Sequence, residues 1–191
     1  MDIVIVGVGG QGILTSSTII AKAAMKAGLN VITSEVHGMA QRGGSVEVHV
    51  RIGDVLSPLI PPGNADVMIS LELVEALRYS KYLNGNSVVV LNRRRIVPNT
   101  VTLGTANYPD ETTIINELKE ITPNVYPVDA SKIAEELGSV QATNVVVLGM
   151  MAKLVEMPFG LKELEDAIRE VLPQKVRDLN LKALKAGYDA V

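Results

Sequence analysis

One stretch of the chain, residues 35–46 with the sequence EVHGMAQRGGSV, concentrates side chains that can do chemistry. Arg42 can clamp a carboxylate or a phosphate with its planar guanidinium group. His37 can transfer a proton near neutral pH, and Glu35 offers a carboxylate. These three side chains are therefore the candidate catalytic residues. The alternative is a purely structural loop, in which Glu35 pairs with Arg42 and His37 bonds to the backbone.

A glycine-rich turn, GVGGQG at residues 7–12, is the second feature with possible chemistry, because it matches the pattern G-x-G-x-x-G. Glycines allow a tight turn there, and a helix that begins after them offers free N–H groups to an anion. Close packing of helix against strand is the alternative. Turn, loop and a later helix supply the candidate cofactor-binding residues, which are Gly7, Gly9, Gly10, Gln11, Gly12, Gln41, Gly43, Gly44 and Asn144.

Dinucleotide binding by this turn would need an acidic residue at the end of the second strand, about 20 residues further on. Glu35 stands 23 positions after Gly12, beyond the predicted end of that strand. An arginine for a 2′-phosphate is missing there as well, since the first arginine of the chain is Arg42. NAD(P) binding is therefore the weaker interpretation of the turn.

The elements around the turn predict that both features meet at one edge of a sheet. The apolar run at 3–6 is typical of a buried strand, residues 13–27 have helical spacing, and residues 31–33 form a second strand. This βαβ unit should be right-handed with parallel strands. Because ligands of open α/β sheets bind at the carboxyl ends of the strands, residues 7–12 and 35–45 should lie side by side.

The rest of the chain predicts a hairpin followed by regular α/β alternation. Residues 46–52 alternate strictly, which indicates a half-buried strand with His49 on its solvent face, and Val55-Leu56 can form the return strand after a turn. Strands are predicted at 67–70, 88–91 and 125–128, and helices at 73–82, 112–120, from Asp129 or Ser131 to 137, and at 144–155, 161–172 and 173–188. The fold class is α/β: a single domain over residues 1–191 with a three-layer Rossmann-like sheet, mostly parallel with an antiparallel hairpin, and a helical C-terminal end.

Composition limits the functions open to this chain. A net charge of −3 over 191 residues argues against general nucleic-acid binding. The chain has no cysteine, so it cannot by itself house an iron–sulfur cluster, and two histidines make a weak case for a metal. No signal peptide or membrane-spanning stretch is apparent, so we expect no membrane association and a cytoplasmic location.

Several motifs together resemble a known family. They are GVGGQGILTSS at 7–17, EVHGMAQRGGSVEVHVR at 35–51, SPLIP at 57–61, ADVMISLELVEALR at 65–78 and QATNVVVLG at 141–149. In combination they resemble the gamma-type domain of the 2-oxoacid:ferredoxin oxidoreductases. The sequence of residues 35–46 most closely resembles that of the beta subunit of the indolepyruvate branch. The alternative assignment is a gamma subunit of a related pyruvate or branched-chain 2-oxoacid ferredoxin oxidoreductase.

The resemblance implies oxidative decarboxylation of a 2-oxoacid such as indolepyruvate or another aryl pyruvate. In the family, thiamine diphosphate attacks the keto carbon, electrons pass through iron–sulfur clusters to ferredoxin, and the acyl group ends on coenzyme A. This chain lacks cysteines and a recognisable thiamine-diphosphate motif. It should therefore carry none of these cofactors alone. A large alpha subunit is expected to hold thiamine diphosphate, magnesium and the clusters.

The small subunit would then complete the active site at the interface with the alpha subunit and be inactive alone. Arg42 could meet a substrate carboxylate, a cofactor phosphate or a carboxylate of the partner, and these alternatives stay open. Surface meant for the partner could also allow a homodimer in isolation. Two other interpretations remain: an independent NAD(P)-dependent Rossmann enzyme, and a non-catalytic module that senses an anion through the glycine turn.

Overall fold

The computed structural model describes residues 1–37 and 44–191, and these form a six-stranded mixed sheet flanked by helices. The strands are β1 (Asp2–Val8), β2 (Val31–His37), β3 (Ser45–Ile52), β4 (Val67–Ser70), β5 (Val88–Asn92) and β6 (Val125–Val128). Their order is β2-β3-β1-β4-β5-β6. The β1–β4, β4–β5 and β5–β6 pairs are parallel, and β3 is antiparallel to both β1 and β2. The predicted α/β fold, mostly parallel with an antiparallel hairpin, is confirmed.

The first βαβ unit differs from the simplest expectation in one respect. β1 and β2 run in the same direction, but β3 is inserted between them and pairs with both. The second strand is therefore an edge strand rather than the neighbour of the first. This insertion places the start of β3 beside the end of β1, since Ser45 pairs with Val8.

The predicted return strand at Val55-Leu56 is wrong. β3 finds its hairpin partner in β2, and the described residues 53–60 form bends without a strand. Arg51 fixes this segment instead, because its Nη1 donates to the carbonyls of Ser57 (3.0 Å) and Leu59 (3.1 Å). A segment held by side-chain hydrogen bonds and interrupted by prolines has no ladder to join.

The prediction that His49 faces solvent is also wrong, since its side chain is 1% exposed. Nδ1 of His49 accepts a hydrogen bond from the backbone N–H of Ile60 (3.1 Å), so Nε2 donates to Glu47 Oε1 at 2.9 Å. Tyr82 donates to the same oxygen at 2.7 Å. Alternation identified the two faces of β3 correctly, but polar partners allow the second face to be buried as well.

Helices cover both faces of the sheet and form the C-terminal end, as predicted. They are α1 (Ile13–Lys26), α2 (Leu73–Arg78), α3 (Asn99–Thr102), α4 (Glu111–Ile121), α5 (Ala130–Glu136), α6 (Thr143–Leu154), α7 (Leu161–Val171) and α8 (Gln174–Asp189). One apolar core packs the sheet against α1, α5, α6, α7 and α8. A second core packs it against α2 and α4. Within the described ranges, no helix combines the length and apolar character needed to cross a bilayer.

The two C-terminal helices α6 and α8 approach closely because glycines stand at their contact. A Cβ on Gly187 would lie 1.9 Å from the carbonyl oxygen of Val146, and one on Gly149 would lie 2.0 Å from that of Leu184. The neighbouring atoms are backbone, which cannot move aside alone. This contact holds α6, whose first turn reaches the candidate site, against the end of the chain.

We predict that Gly149→Ala destabilises the fold by about 3 kcal/mol or more, because the added methyl group forces α6 away from α8. Denaturant unfolding of the two proteins measures the difference. Gly85→Ala is the matched control, since its Cβ would meet nothing nearer than the Ile121 carbonyl oxygen at 3.9 Å. Equal stability of both variants would contradict the close contact.

Candidate functional site

A cleft of about 510 Å³ opens at the carboxyl ends of the parallel strands. Segments that follow β1, β4 and β5 contribute to its wall, and so do the starts of α5 and α6 and part of α8. Its lining includes Gly10, Gln11, Gly12, Leu71, Arg94, Ser131, Asn144 and Asn180. This is the edge at which open α/β sheets bind ligands.

The glycine turn forms one wall of the cleft, and its glycines have different roles. Gly10 and Gly12 have positive φ angles of 104° and 80°, which other residues adopt at a cost. Gly7 has a packing role instead, because a Cβ there would lie 2.7 Å from Gln11 Oε1. Of these three glycines, Gly10 and Gly12 line the cleft.

Gln11 fastens the turn to the centre of the sheet. Its Oε1 accepts a hydrogen bond from Val8 N at 2.7 Å, and its Nε2 donates to the carbonyl of Leu71 at 2.8 Å. The side chain is thus engaged at both ends by the protein. Its contribution is to hold the backbone of the turn in place.

Asn144 joins the start of α6 to the same turn, as the sequence had suggested by placing it near this edge. Its Nδ2 donates to the carbonyl of Gly12 (3.2 Å) and to Ser16 Oγ (3.3 Å), and the residue is buried. Neither α1 nor α6 has a side-chain cap at its N-terminus. The start of α1 therefore reaches the cleft without a side-chain cap from any described residue, whereas the first N–H of α6, on Thr143, donates to the carbonyl of Val140 in the turn before it. An uncapped helix start attracts anions.

Three consecutive arginines follow β5, and only the middle one lines the cleft. Nε of Arg93 lies 3.1 Å from Glu111 Oε1, and the guanidinium of Arg95 lies 4.5 Å from the centre of the Tyr108 ring. Arg94 makes no ion pair with any described residue. In the sequence, three arginines at the carboxyl end of a strand could hold a phosphate, as in coenzyme A, but such a triplet is usually a solvated surface, and no signal singles out Arg94.

Sequence reasoning also missed a polar cluster on the opposite face of the same edge. Glu75 is 3% exposed, and its Oε2 accepts a hydrogen bond from Ser45 Oγ, which lies 2.7 Å from Tyr79 Oη. Arg78 donates to Glu75 Oε1 at 3.1 Å. Burial raises the pKa of Tyr79. The sequence feature that could have indicated this cluster is the pair of glutamates in ELVEAL at residues 72–77. By itself this pair is typical of an ordinary helix start.

The predicted meeting of turn and loop is visible at Gly44, whose carbonyl accepts a hydrogen bond from Gly9 N at 2.9 Å. Glu35 lies exposed on the edge strand β2, opposite Val48 of β3. Gln41, Arg42 and Gly43 lie outside the described residues, and for His37 only the backbone position at the end of β2 is described. The roles proposed for these side chains stay predictions.

The described residues contain no group of three or more His, Asp or Glu side chains that could hold a metal ion. The buried carboxylates near this edge are already occupied by protein donors. Ser45 and Arg78 bond to Glu75, and Tyr82 and His49 bond to Glu47. The donor set of this edge is therefore one of amides, hydroxyls and a guanidinium.

Comparison with known proteins gives a consistent picture. The family model described as pyruvate ferredoxin/flavodoxin oxidoreductase matches residues 2–190. The indolepyruvate oxidoreductase subunit IorB of Archaeoglobus fulgidus is 65% identical over 189 residues, covering 99% of this chain and 94% of the relative. The corresponding subunit of Pyrococcus horikoshii is 43% identical over 195 residues, with 99% and 95% covered.

A solved structure supports the fold. The gamma subunit of a keto/oxoacid ferredoxin oxidoreductase from Geobacter sulfurreducens is similar with a TM-score of 0.73 at 24% sequence identity. The similarity covers 98% of this chain and 96% of that one. The two chains therefore share their fold along nearly their whole length.

We predict that alanine at Gly12 costs clearly more stability than alanine at Gly10. Both positions have positive φ, which costs about 1–2 kcal/mol for a residue with a Cβ. A Cβ at Gly12 would in addition lie 2.9 Å from Asn144 Nδ2, whereas no atom of the described residues lies within 4 Å of one at Gly10. Thermal or denaturant unfolding measures both. A larger loss for Gly10→Ala would contradict the described contact between turn and α6.

Proposed function

The chain belongs to the pyruvate ferredoxin/flavodoxin oxidoreductase family, and from this premise we propose how its carboxyl edge serves the reaction. It is the small subunit of an indolepyruvate ferredoxin oxidoreductase, which acts on an oxo group with ferredoxin as acceptor and works as a multi-subunit complex. We propose that its carboxyl edge faces the large alpha subunit. There it would complete an active site that the alpha subunit begins.

Thiamine diphosphate, when bound, supplies the carbanion that adds to the oxo acid, but the described residues of this chain do not fit it. Its diphosphate needs a magnesium ion with oxygen ligands. The sequence has no thiamine-diphosphate motif, a G-D-G followed by an asparagine, that would supply such ligands. We therefore assign thiamine diphosphate, magnesium and the iron–sulfur clusters to the alpha subunit, which would also pass electrons to ferredoxin.

The cleft fits an anionic group instead. Arg94 supplies a positive charge, the glycine turn leaves its backbone open, and the uncapped start of α1 adds backbone N–H groups. The convergence of these groups on one cleft is the observation that carries the proposal. We assign it to a phosphate group of the co-substrate coenzyme A, which this chain would bind and orient toward the shared site.

The second part of the proposal concerns the loop at residues 35–45. Arg42 is proposed to meet the carboxylate of the oxo acid or a charge of the partner, with Glu35 and His37 beside it. Gln41, Gly43 and Gly44 would contribute backbone and amide contacts. The support is positional, because Gly44 lies in hydrogen-bond contact with the glycine turn at the carboxyl edge.

The strand order of the structure argues against NAD(P) binding. Dinucleotide sites take their ribose-binding acid from the strand adjacent to the first one, at its carboxyl end. Here β3 occupies that place and runs antiparallel, and the residue it brings to that edge is Ser45. Glu35 lies one strand further out, on β2.

Co-expression tests the proposed function. A tagged copy of this chain and the candidate large subunit are purified together and separately, and dye reduction is measured with indolepyruvate and coenzyme A. We expect stable association, activity that needs both chains, and no activity from the small chain alone. NAD(H) binding by the lone chain, without association, would overturn the proposal.

For the loop, we predict that Arg42→Ala lowers turnover of the assembled complex by roughly tenfold or more, because a charged contact to substrate or partner is lost. Assembly should survive and is checked by gel filtration. Arg169→Ala is the control, since that guanidinium is exposed and, among the described residues, bonds only within α7, to Glu165 and Asp166. Unchanged turnover would remove Arg42 from the site.

A further inference from the structure

Glu72 lies at the junction of β4 and α2, and its polar side chain is fully buried. Buried carboxylates persist only when donors surround them. Three donors do so here. Ile96 N (2.9 Å) and Tyr108 Oη (2.6 Å) donate to Oε1, and Glu75 N (3.1 Å) donates to Oε2. Two of these donors belong to the stretch that follows β5, so the carboxylate fastens that stretch to α2.

The backbone that carries the three arginines is held on both sides of Arg95. The carbonyl of Arg94 accepts a hydrogen bond from Leu73 N at 3.0 Å, and Ile96 N donates to Glu72. Arg93 N donates to the carbonyl of Val128 at 2.8 Å, so the backbone is fixed on both sides of Arg94 as well, and both side chains have defined directions. Arg94 lines the cleft, and Arg95 lies over the ring of Tyr108.

Tyr108 links the carboxylate to the third arginine. Its hydroxyl donates to Glu72 and its ring faces the guanidinium of Arg95, an arrangement that a cation–π interaction favours. Burial and the nearby carboxylate raise the pKa of Tyr108, so the hydroxyl stays protonated and remains a donor. Arg95 is thereby kept on Tyr108, and Arg93 is kept on Glu111.

We propose that Glu72 is a positioning residue for the anion cleft: through Ile96 and Tyr108 it sets the register of residues 93–96 so that Arg94, rather than Arg93 or Arg95, meets the bound anionic group. This inference rests on the proposed function of the cleft as a phosphate site for coenzyme A. It goes further by naming the arginine that selects the anion and the buried carboxylate that places it.

The structure offers a matched pair of variants for the test. Tyr108→Phe removes the hydroxyl that donates to Glu72 at 2.6 Å, and Tyr82→Phe removes one that donates to another buried glutamate, Glu47, at 2.7 Å. Both lose one hydrogen bond to a buried carboxylate, but only the first lies on the path to Arg94. We expect a loss of thermal stability from both, and a somewhat larger one from Tyr108→Phe, because the Tyr108 hydroxyl also accepts a hydrogen bond from Val74 N at 3.3 Å.

Kinetics in the assembled complex separate positioning from stability. Tyr108→Phe should raise KM for coenzyme A by roughly three- to fivefold with kcat within about twofold, because ground-state binding of the anion is weakened. Tyr82→Phe should leave KM unchanged. Glu72→Gln keeps one acceptor oxygen but loses the charge, and should raise KM in the same direction. An unchanged KM in both Tyr108→Phe and Glu72→Gln would overturn the inference.

An arginine series distinguishes this inference from the proposal on which it rests. Arg94→Ala should raise KM for coenzyme A by roughly tenfold, and Arg93→Ala and Arg95→Ala by less than about threefold. The double variant Arg94→Ala/Tyr108→Phe should be no worse than Arg94→Ala, since the tyrosine acts through that arginine. If Arg94→Ala has no effect, the phosphate cleft itself is wrong. If it has its effect and the two substitutions simply multiply, only the role of Glu72 and Tyr108 is wrong.

Discussion

The carbonyl oxygen of Leu71, one residue past the end of the central strand β4, accepts hydrogen bonds from two side-chain amides. Gln11 donates to it at 2.8 Å from the glycine turn, and Asn92 donates at 3.0 Å from the end of β5. The next residue, Glu72, binds the stretch after β5. The ends of three parallel strands are thus tied to one short segment. This tie fixes the part of the cleft wall that follows β1, β4 and β5, and α5, α6 and α8 supply the rest of the wall.

Most of the sheet could be predicted from the sequence, since continuous apolar runs and a glycine turn before a helix are strong local signals. The insertion of β3 between β1 and β2 could not, because strand order depends on which edges find partners and not on local pattern. The burial of His49 was hidden for a related reason. Its hydrogen-bond partner Glu47 lies on the same strand, and Ile60 lies on a loop. The alternation of apolar and polar residues cannot show that these two residues bond to the imidazole of His49.

The site was only partly predictable. Gly10, Gly12 and Asn144 were named from the sequence, and the structure brings them to one cleft. Residues 93–95 could be interpreted from the sequence as a phosphate site or as a solvated surface, but Arg94 could not be singled out, because three adjacent arginines differ only in what their side chains contact. Glu72 and Glu75 were missed because acidic residues at a helix start are common on surfaces. For Glu72 and Glu75 the role comes from contacts with residues more than 20 positions away, such as Tyr108 and Ser45.

The central claim is that the carboxyl edge of the sheet faces the large subunit. Hydrogen–deuterium exchange of this chain, alone and in the assembled complex, tests it most directly. The account predicts slower exchange on assembly in residues 7–12, 71–75 and 93–96. Residues 28–30 and 53–55 at the opposite edge, where Gly53 N bonds to the Asn30 carbonyl, should be unchanged. Protection confined to that opposite edge would contradict the account and move the interface away from the cleft.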